Sequence, residues 1–154
     1  MTSARRLIVG LGSPIGDDAA GWHVVDEIAR IAPAERAQRI AHPADLLDLL
    51  SDVDELIVCD ACRGPDLPGT VREWSWPLPD EFVRHTPRNS HQMGLIEVLQ
   101  LAEQLGDLPA KVGVWTIEAG DCADIEALSD TARVAVRETV ARILAASGIA
   151  SGRL

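Results

Sequence analysis

Apolar residues follow two rhythms along this chain. Residues 5–12 (RRLIVGLG), 55–61 (ELIVCDA) and 111–118 (KVGVWTIE) are short, nearly unbroken apolar runs, the pattern of strands covered on both faces. Residues 70–76 (TVREWSW) alternate instead, as a strand with one covered face does. The weaker pattern at 36–41 predicts one more strand. Between these runs the spacing becomes helical. Residues 18–31 place Trp22, Val25, Ile28 and Ala29 or Ala32 on one stripe, and Pro33 marks the end. Residues 44–50 predict a short helix. A longer helix from about 91 to 105 carries Met93, Leu95, Ile96, Leu99 and Leu101. A last helix over 127–146 carries Leu128, Ala132, Val136, Val140 and Ile143. Glycine and proline make 62–69 a loop, and a long loop is predicted over 77–90.

Strands that alternate with helices predict an α/β three-layer sandwich. Its sheet is mostly parallel and twisted, with about five strands and helices on both faces. No repeat, low-complexity tract or linker divides the 154 residues, so a single domain over 1–154 is expected. Such a fold names no function, but it places a site beyond the carboxyl ends of the strands. Asp17 and Asp18 follow the first strand, Asp60 ends the central one, and His91 opens a helix.

Charge narrows the partners. Lys and Arg total 14 against 24 Asp and Glu, a formal charge of −10. Nucleic acid and an anionic membrane are both repelled by such a surface, and no long basic cluster offsets it. The five residues before the first strand are too few for the apolar core of a secretion signal. No run is long enough to span a bilayer, so a cytoplasmic location is expected. Three cysteines, Cys59, Cys62 and Cys122, form no disulfide framework. The C-x-x-C at 59–62 ends a strand, whereas a reactive dithiol opens a helix. That context favours a structural role and leaves redox or metal chemistry as the alternative.

The first loop, GLGSPIGDDAAG (10–21), invites a nucleotide reading that fails on two counts. Its glycine spacing departs from G-x-G-x-x-G, and two carboxylates stand where a phosphate needs a positive helix end. One of Asp17 and Asp18 suffices to cap the following helix, which leaves the other to face a cation. Ser90 or Asn89 has the same capping chemistry before the helix that His91 opens. No G-x-S-x-G elbow supports a serine nucleophile. His23, His42 and His85 match no motif. Trp22, Trp74, Trp76 and Trp115 are expected in the core or at an interface, with some of the first three able to line a channel for an extended peptide.

Three segments in order resemble the hydrogenase maturation endopeptidases: GLGSPIGDDAAG (10–21), LIVCDACRGPDLPGTV (56–71) and NSHQMGL (89–95). KVGVWTIEAG (111–120) and ALSD (127–130) are similar to a weaker C-terminal signature. The chain departs from the family's pattern at Ser13, where Asn is usual, at Ala19, where Gly is common, and in a first loop one residue shorter. The resemblance implies that Asp18, Asp60 and His91 recognise nickel and carry the catalysis, with Asp17 and Ser90 as capping or supporting residues. It also implies that nickel arrives in the large-subunit precursor of a NiFe hydrogenase rather than being held tightly by the free enzyme. The protease then removes a short C-terminal extension, as a monomer that meets its substrate transiently.

Two carboxylates and an imidazole suit a divalent first-row metal, and three protein ligands leave positions for water or substrate. Such a centre polarises a carbonyl or activates water, with Asp18 or Asp60 as a base. The donors alone do not separate nickel from zinc. Two further readings therefore stand beside the first: another metal-dependent amide or peptide hydrolase, and a non-catalytic module that binds the large subunit.

Overall fold

The computed structural model describes residues 5–85, 90–120 and 126–149, with the side chains of 83–85 and 90–93 outside that description. Five strands form one sheet: β1 (Arg6–Leu11), β2 (Arg36–Ile40), β3 (Glu55–Cys62), β4 (Val71–Ser75) and β5 (Lys111–Glu118). Their order is β2-β1-β3-β5-β4. All neighbours run parallel except β4, which pairs antiparallel with β5 at one edge. The α/β sandwich expected from the sequence is the observed one.

Helices cover both faces. On one, α1 (Ala20–Ile31) and α4 (Asp130–Ala146) join Val24, Val25, Ile28, Ala132, Val136 and Ile143 to the sheet residues Ile8, Ile57 and Trp115. On the other, α2 (Asp80–His85) and α3 (Ser90–Leu105) bring Phe82, Leu95 and Leu99 onto Leu7, Val9, Leu56, Val58, Trp74 and Val114. The unbroken apolar runs of β1, β3 and β5 follow from this double burial. Among the described residues no helix is long and apolar enough to cross a membrane.

Three local expectations need correction. The segment 77–90 is not all loop, because α2 lies within it. Phe82 is its anchor, fully buried and edge-on to Trp74 with ring centroids 5.3 Å apart. A helix this short has too few residues for a periodic signal, and flanking prolines hide it. The short helix expected at 44–50 is a 3-10 turn over Pro43–Asp48, pinned by the single buried Leu46. On α1 the expected Val25, Ile28 and the C-capping Ala32 are buried and Val24 joins them, while Ala29 is exposed and Trp22 half-buried.

Glycine sets the distance between α1 and the sheet. A Cβ on Gly21 would stand 2.5 Å from the Cys59 carbonyl oxygen and 2.6 Å from that of Leu11. A Cβ on Gly10 would collide with the Gly21 carbonyl. The glycines of the first loop thus serve backbone-to-backbone packing, and the start of α1 is pressed against the carboxyl ends of β1 and β3.

Candidate active site

Strand order reverses between β1 and β3: from β1 the chain moves outward to β2, then back across to β3. A crevice opens at such a switch point, beyond the carboxyl ends of the strands. The β1–β3 ladder ends with Gly10 opposite Cys59, whereas the β3–β5 ladder continues to Cys62 opposite Glu118. Asp60 therefore lies one residue past the last β1 pair.

Leu56 and Val58 face the α3 layer. Alternation along β3 sends Asp60 and Cys62 to that same face, and Cys59 to the α1–α4 face. The Asp60 carboxylate is 1 % exposed, and neither oxygen has a hydrogen-bond partner of regular geometry among the described residues. Burial first, then the negative charge of Asp18, push its pKa well above the ordinary value of 3.8, with the neighbouring Ala61 amide working the other way. An orphaned buried carboxyl is rare in a native fold, and it marks a place where a polar partner belongs.

Asp18 is half-buried in a 3-10 turn, Gly16–Ala19, that leads into α1. It lines a small cleft with Ala61, Cys62, Arg63 and Ala119. The structure thus brings Asp18 and Asp60 together. His91 lies in the first turn of α3, and Gly94, one turn on, sits against Pro43 just past β2. That contact places the start of α3 at the same end of the sheet. The His91 side chain lies outside the described residues, as do Asn89, Cys122 and the side chain of Ser90. Among the described residues no trio of His, Cys, Asp and Glu is arranged as a metal site.

Asp17 points elsewhere. It is buried, and its carboxylate accepts the Ser129 amide (2.7 Å), the Ser129 hydroxyl (2.7 Å) and the Gly120 amide (2.8 Å). These partners lie past β5 and at the start of α4, so the residue clasps distant segments together rather than capping the helix it precedes. His23 and His42 are exposed, and His85 ends α2.

The Cys59–Cys62 pair forms no dithiol. Three residues apart on a strand, the side chains leave opposite faces. Both thiols are free and buried. Burial pushes the Cys59 thiol up, and burial with the charges of Glu118 and Asp60 pushes Cys62 up to about 12. Cys62 donates to the Glu118 carboxylate at 3.7 Å, and that carboxylate also accepts the Gly64 amide at 2.6 Å. Burial raises the Glu118 pKa against the pull of the Gly64 bond. Sequence reasoning passed over Glu118 and Ser129. The signal for Glu118 was an ionisable residue ending an apolar run, which in this fold is the site end of the sheet.

Of the tryptophans, Trp74 and Trp115 are buried. Trp74 donates to the Thr116 hydroxyl at 3.0 Å. Trp22 and Trp76 are half-buried and donate to the Ile40 carbonyl (3.0 Å) and the Glu103 carboxylate (2.9 Å).

Residues 41–146 match the family model of the hydrogenase maturation proteases, over more than two thirds of the chain. The chain belongs to this family. A direct search among curated protein sequences finds no significant match. Solved structures agree in fold with the family assignment. The hydrogenase maturating endopeptidase HybD of E. coli superposes with a TM-score of 0.75 at 23 % identity, over 96 % of this chain and 95 % of that one. The NiFe hydrogenase maturation protease HybD of Thermococcus kodakarensis gives 0.74 at 24 % identity, over 92 % and 98 %. A hydrogenase 2 maturation peptidase from a Thaumarchaeota archaeon gives 0.70 at 25 % identity, over 95 % and 99 %. Membership of the hydrogenase maturation proteases supports endopeptidase activity for this chain.

Proposed function

We propose that this chain is the endopeptidase that removes a short C-terminal extension from the nickel-loaded large-subunit precursor of a NiFe hydrogenase, with nickel as the licence for cleavage. The observation that carries the reading is the buried, orphaned Asp60 carboxyl beside Asp18, at the carboxyl end of the sheet in a member of this family. Two oxygens with no hydrogen-bond partner of regular geometry among the described residues fit a cation as their missing neighbour, and a carboxylate pair with the His91 imidazole suits a divalent first-row metal.

Nickel enters as part of the substrate. Asp18, Asp60 and His91 are the residues proposed to meet it. Bound there, the ion would stabilise the ionised carboxylates and polarise a scissile carbonyl. The remaining chemistry belongs to the chain. Before substrate arrives, burial and the Asp18 charge favour protonated Asp60. Nickel-free precursor brings no cation to replace that proton. Asp18, half-buried on the cleft, is the carboxylate with access to water. It accepts the proton of the attacking water as a general base. The free protease is proposed as a cytoplasmic monomer that releases its product once the extension is gone.

The test is intact-mass analysis of a cognate large-subunit precursor, nickel-loaded and nickel-free, mixed with the protein. The expected result is loss of one C-terminal fragment from the loaded form alone. Equal cleavage of both forms removes the nickel checkpoint, and cleavage of neither in a verified cognate pair removes the peptidase reading.

A further inference from the structure

Asp17 is a buried, multiply bonded carboxylate near the crevice, yet it does not line the cleft beside Asp18. Its oxygens accept two backbone amides and one hydroxyl, from Gly120 just past β5 and from Ser129. Those partners lie 103 and 112 residues further along the chain. Ser129 is also the N-cap of α4, and its hydroxyl oxygen accepts the Ala132 amide at 3.2 Å. One hydroxyl thus donates to Asp17 and accepts from α4, and the first loop, the end of β5 and the start of α4 close on a single carboxylate.

The next residue is Asp18, whose backbone is itself tied down. Its amide donates to the Ile15 carbonyl at 3.1 Å, and its carbonyl accepts the Ser13 amide at 3.3 Å. Gly12 has no room for a Cβ because the Asp18 carbonyl occupies that space. The turn is held at its own ends by local bonds, and to the rest of the molecule by the Asp17 carboxylate.

We propose that Asp17 and Ser129 are positioning residues that hold the Asp18 carboxylate at the cleft against Asp60. Asp17 itself touches no substrate. The consequence for catalysis rests on the function proposed above, whereas the consequence for the loop does not. A freed loop lets Asp18 drift from Asp60, and displacements of about 1 Å at a reacting centre cost about 100-fold in rate.

The test compares the wild-type protein with Ser129→Ala and Ser129→Thr, by amide hydrogen exchange resolved by NMR and by the kinetics of precursor cleavage. Ser129→Ala removes a hydrogen bond to a charged group, so the Ser13 and Asp18 amides are expected to exchange about tenfold faster or more. The amides of Val24–Ile28 in α1 stay unchanged. Ser129→Thr keeps the hydroxyl and restores protection. In cleavage, Ser129→Ala lowers kcat with little change in KM, and Ser129→Thr recovers it. Exchange at Ser13 and Asp18 that is unchanged in folded Ser129→Ala overturns the clasp. Faster exchange with undiminished kcat overturns its catalytic role. If the wild type cleaves no precursor, the proposed function fails while the exchange data still decide the clasp.

Discussion

The two ends of one sheet handle buried charge in opposite ways. At the amino end, the half-buried Arg6 donates to Glu55 and Glu35 at 2.8 Å each and to the Ser147 carbonyl at 3.0 Å. Lys111 lies 3.4 Å from the same Glu55. Glu55 is 8 % exposed and doubly partnered. At the carboxyl end, Asp60 on the same strand is more deeply buried and has no such partner among the described residues. A buried carboxylate with its cation in place supports the fold, whereas one without it is a cost retained for another purpose. Substitutions at the two ends should therefore separate folding from chemistry.

The largest effect is expected from Asp60→Asn, which should lower precursor cleavage by about 1,000-fold or more if the carboxylate stabilises the reacting cation and its neighbours. Residual activity near wild type would end the comparison. The same variant should be more stable than the wild type at neutral pH, by about 2 kcal/mol, because the amide has no ionised form to desolvate. The sign follows from linkage. Asp60 has a folded pKa raised above its unfolded value of 3.8, so above that pH the unfolded chain gains more from ionisation and the native state loses stability as pH rises. Urea unfolding of both proteins should show the advantage at pH 7 and its disappearance near pH 3. An advantage that persists at pH 3 would point to packing rather than charge.

Arg6→Met should do the reverse. It leaves Glu55 and Glu35 without their main partner, and breaking a buried pair from one side costs about 3–5 kcal/mol when burial is complete. The partial exposure here lowers that toward about 2 kcal/mol. Urea unfolding should report the loss, while kcat per folded molecule stays unchanged. A fall in kcat at full folding would show that the two ends communicate. The smallest effect belongs to Arg5→Ala. Arg5 meets Asp52 and Asp54 on the open surface, where water and salt screen such pairs. Its unfolding midpoint should match the wild type.

Much of this contrast lay in plain view along the chain. The apolar runs of β1, β3 and β5 announced themselves, because burial on both faces leaves no polar positions to blur the signal. Asp18 and Asp60 were legible as residues placed just beyond two such runs. The antiparallel course of β4 was not, since alternation reports one covered face and carries no direction. The α2 helix was not legible because six residues are too few for a periodic signal. The partners of Asp17 could not be read from spacing, for they lie more than a hundred residues away. Nor does sequence reveal that neither Asp60 oxygen has a hydrogen-bond partner of regular geometry among the described residues.

The strand that carries Asp60 to the crevice also isolates its two thiols. Cys59 and Cys62 look out from opposite faces, with the hydrogen-bonded ladder between them. A disulfide requires Cβ atoms about 4 Å apart with converging directions, and here the main chain itself stands in the way. Oxidants that close vicinal dithiols elsewhere have no such bond to form between these two, so this pair offers no oxidative switch to the folded protease.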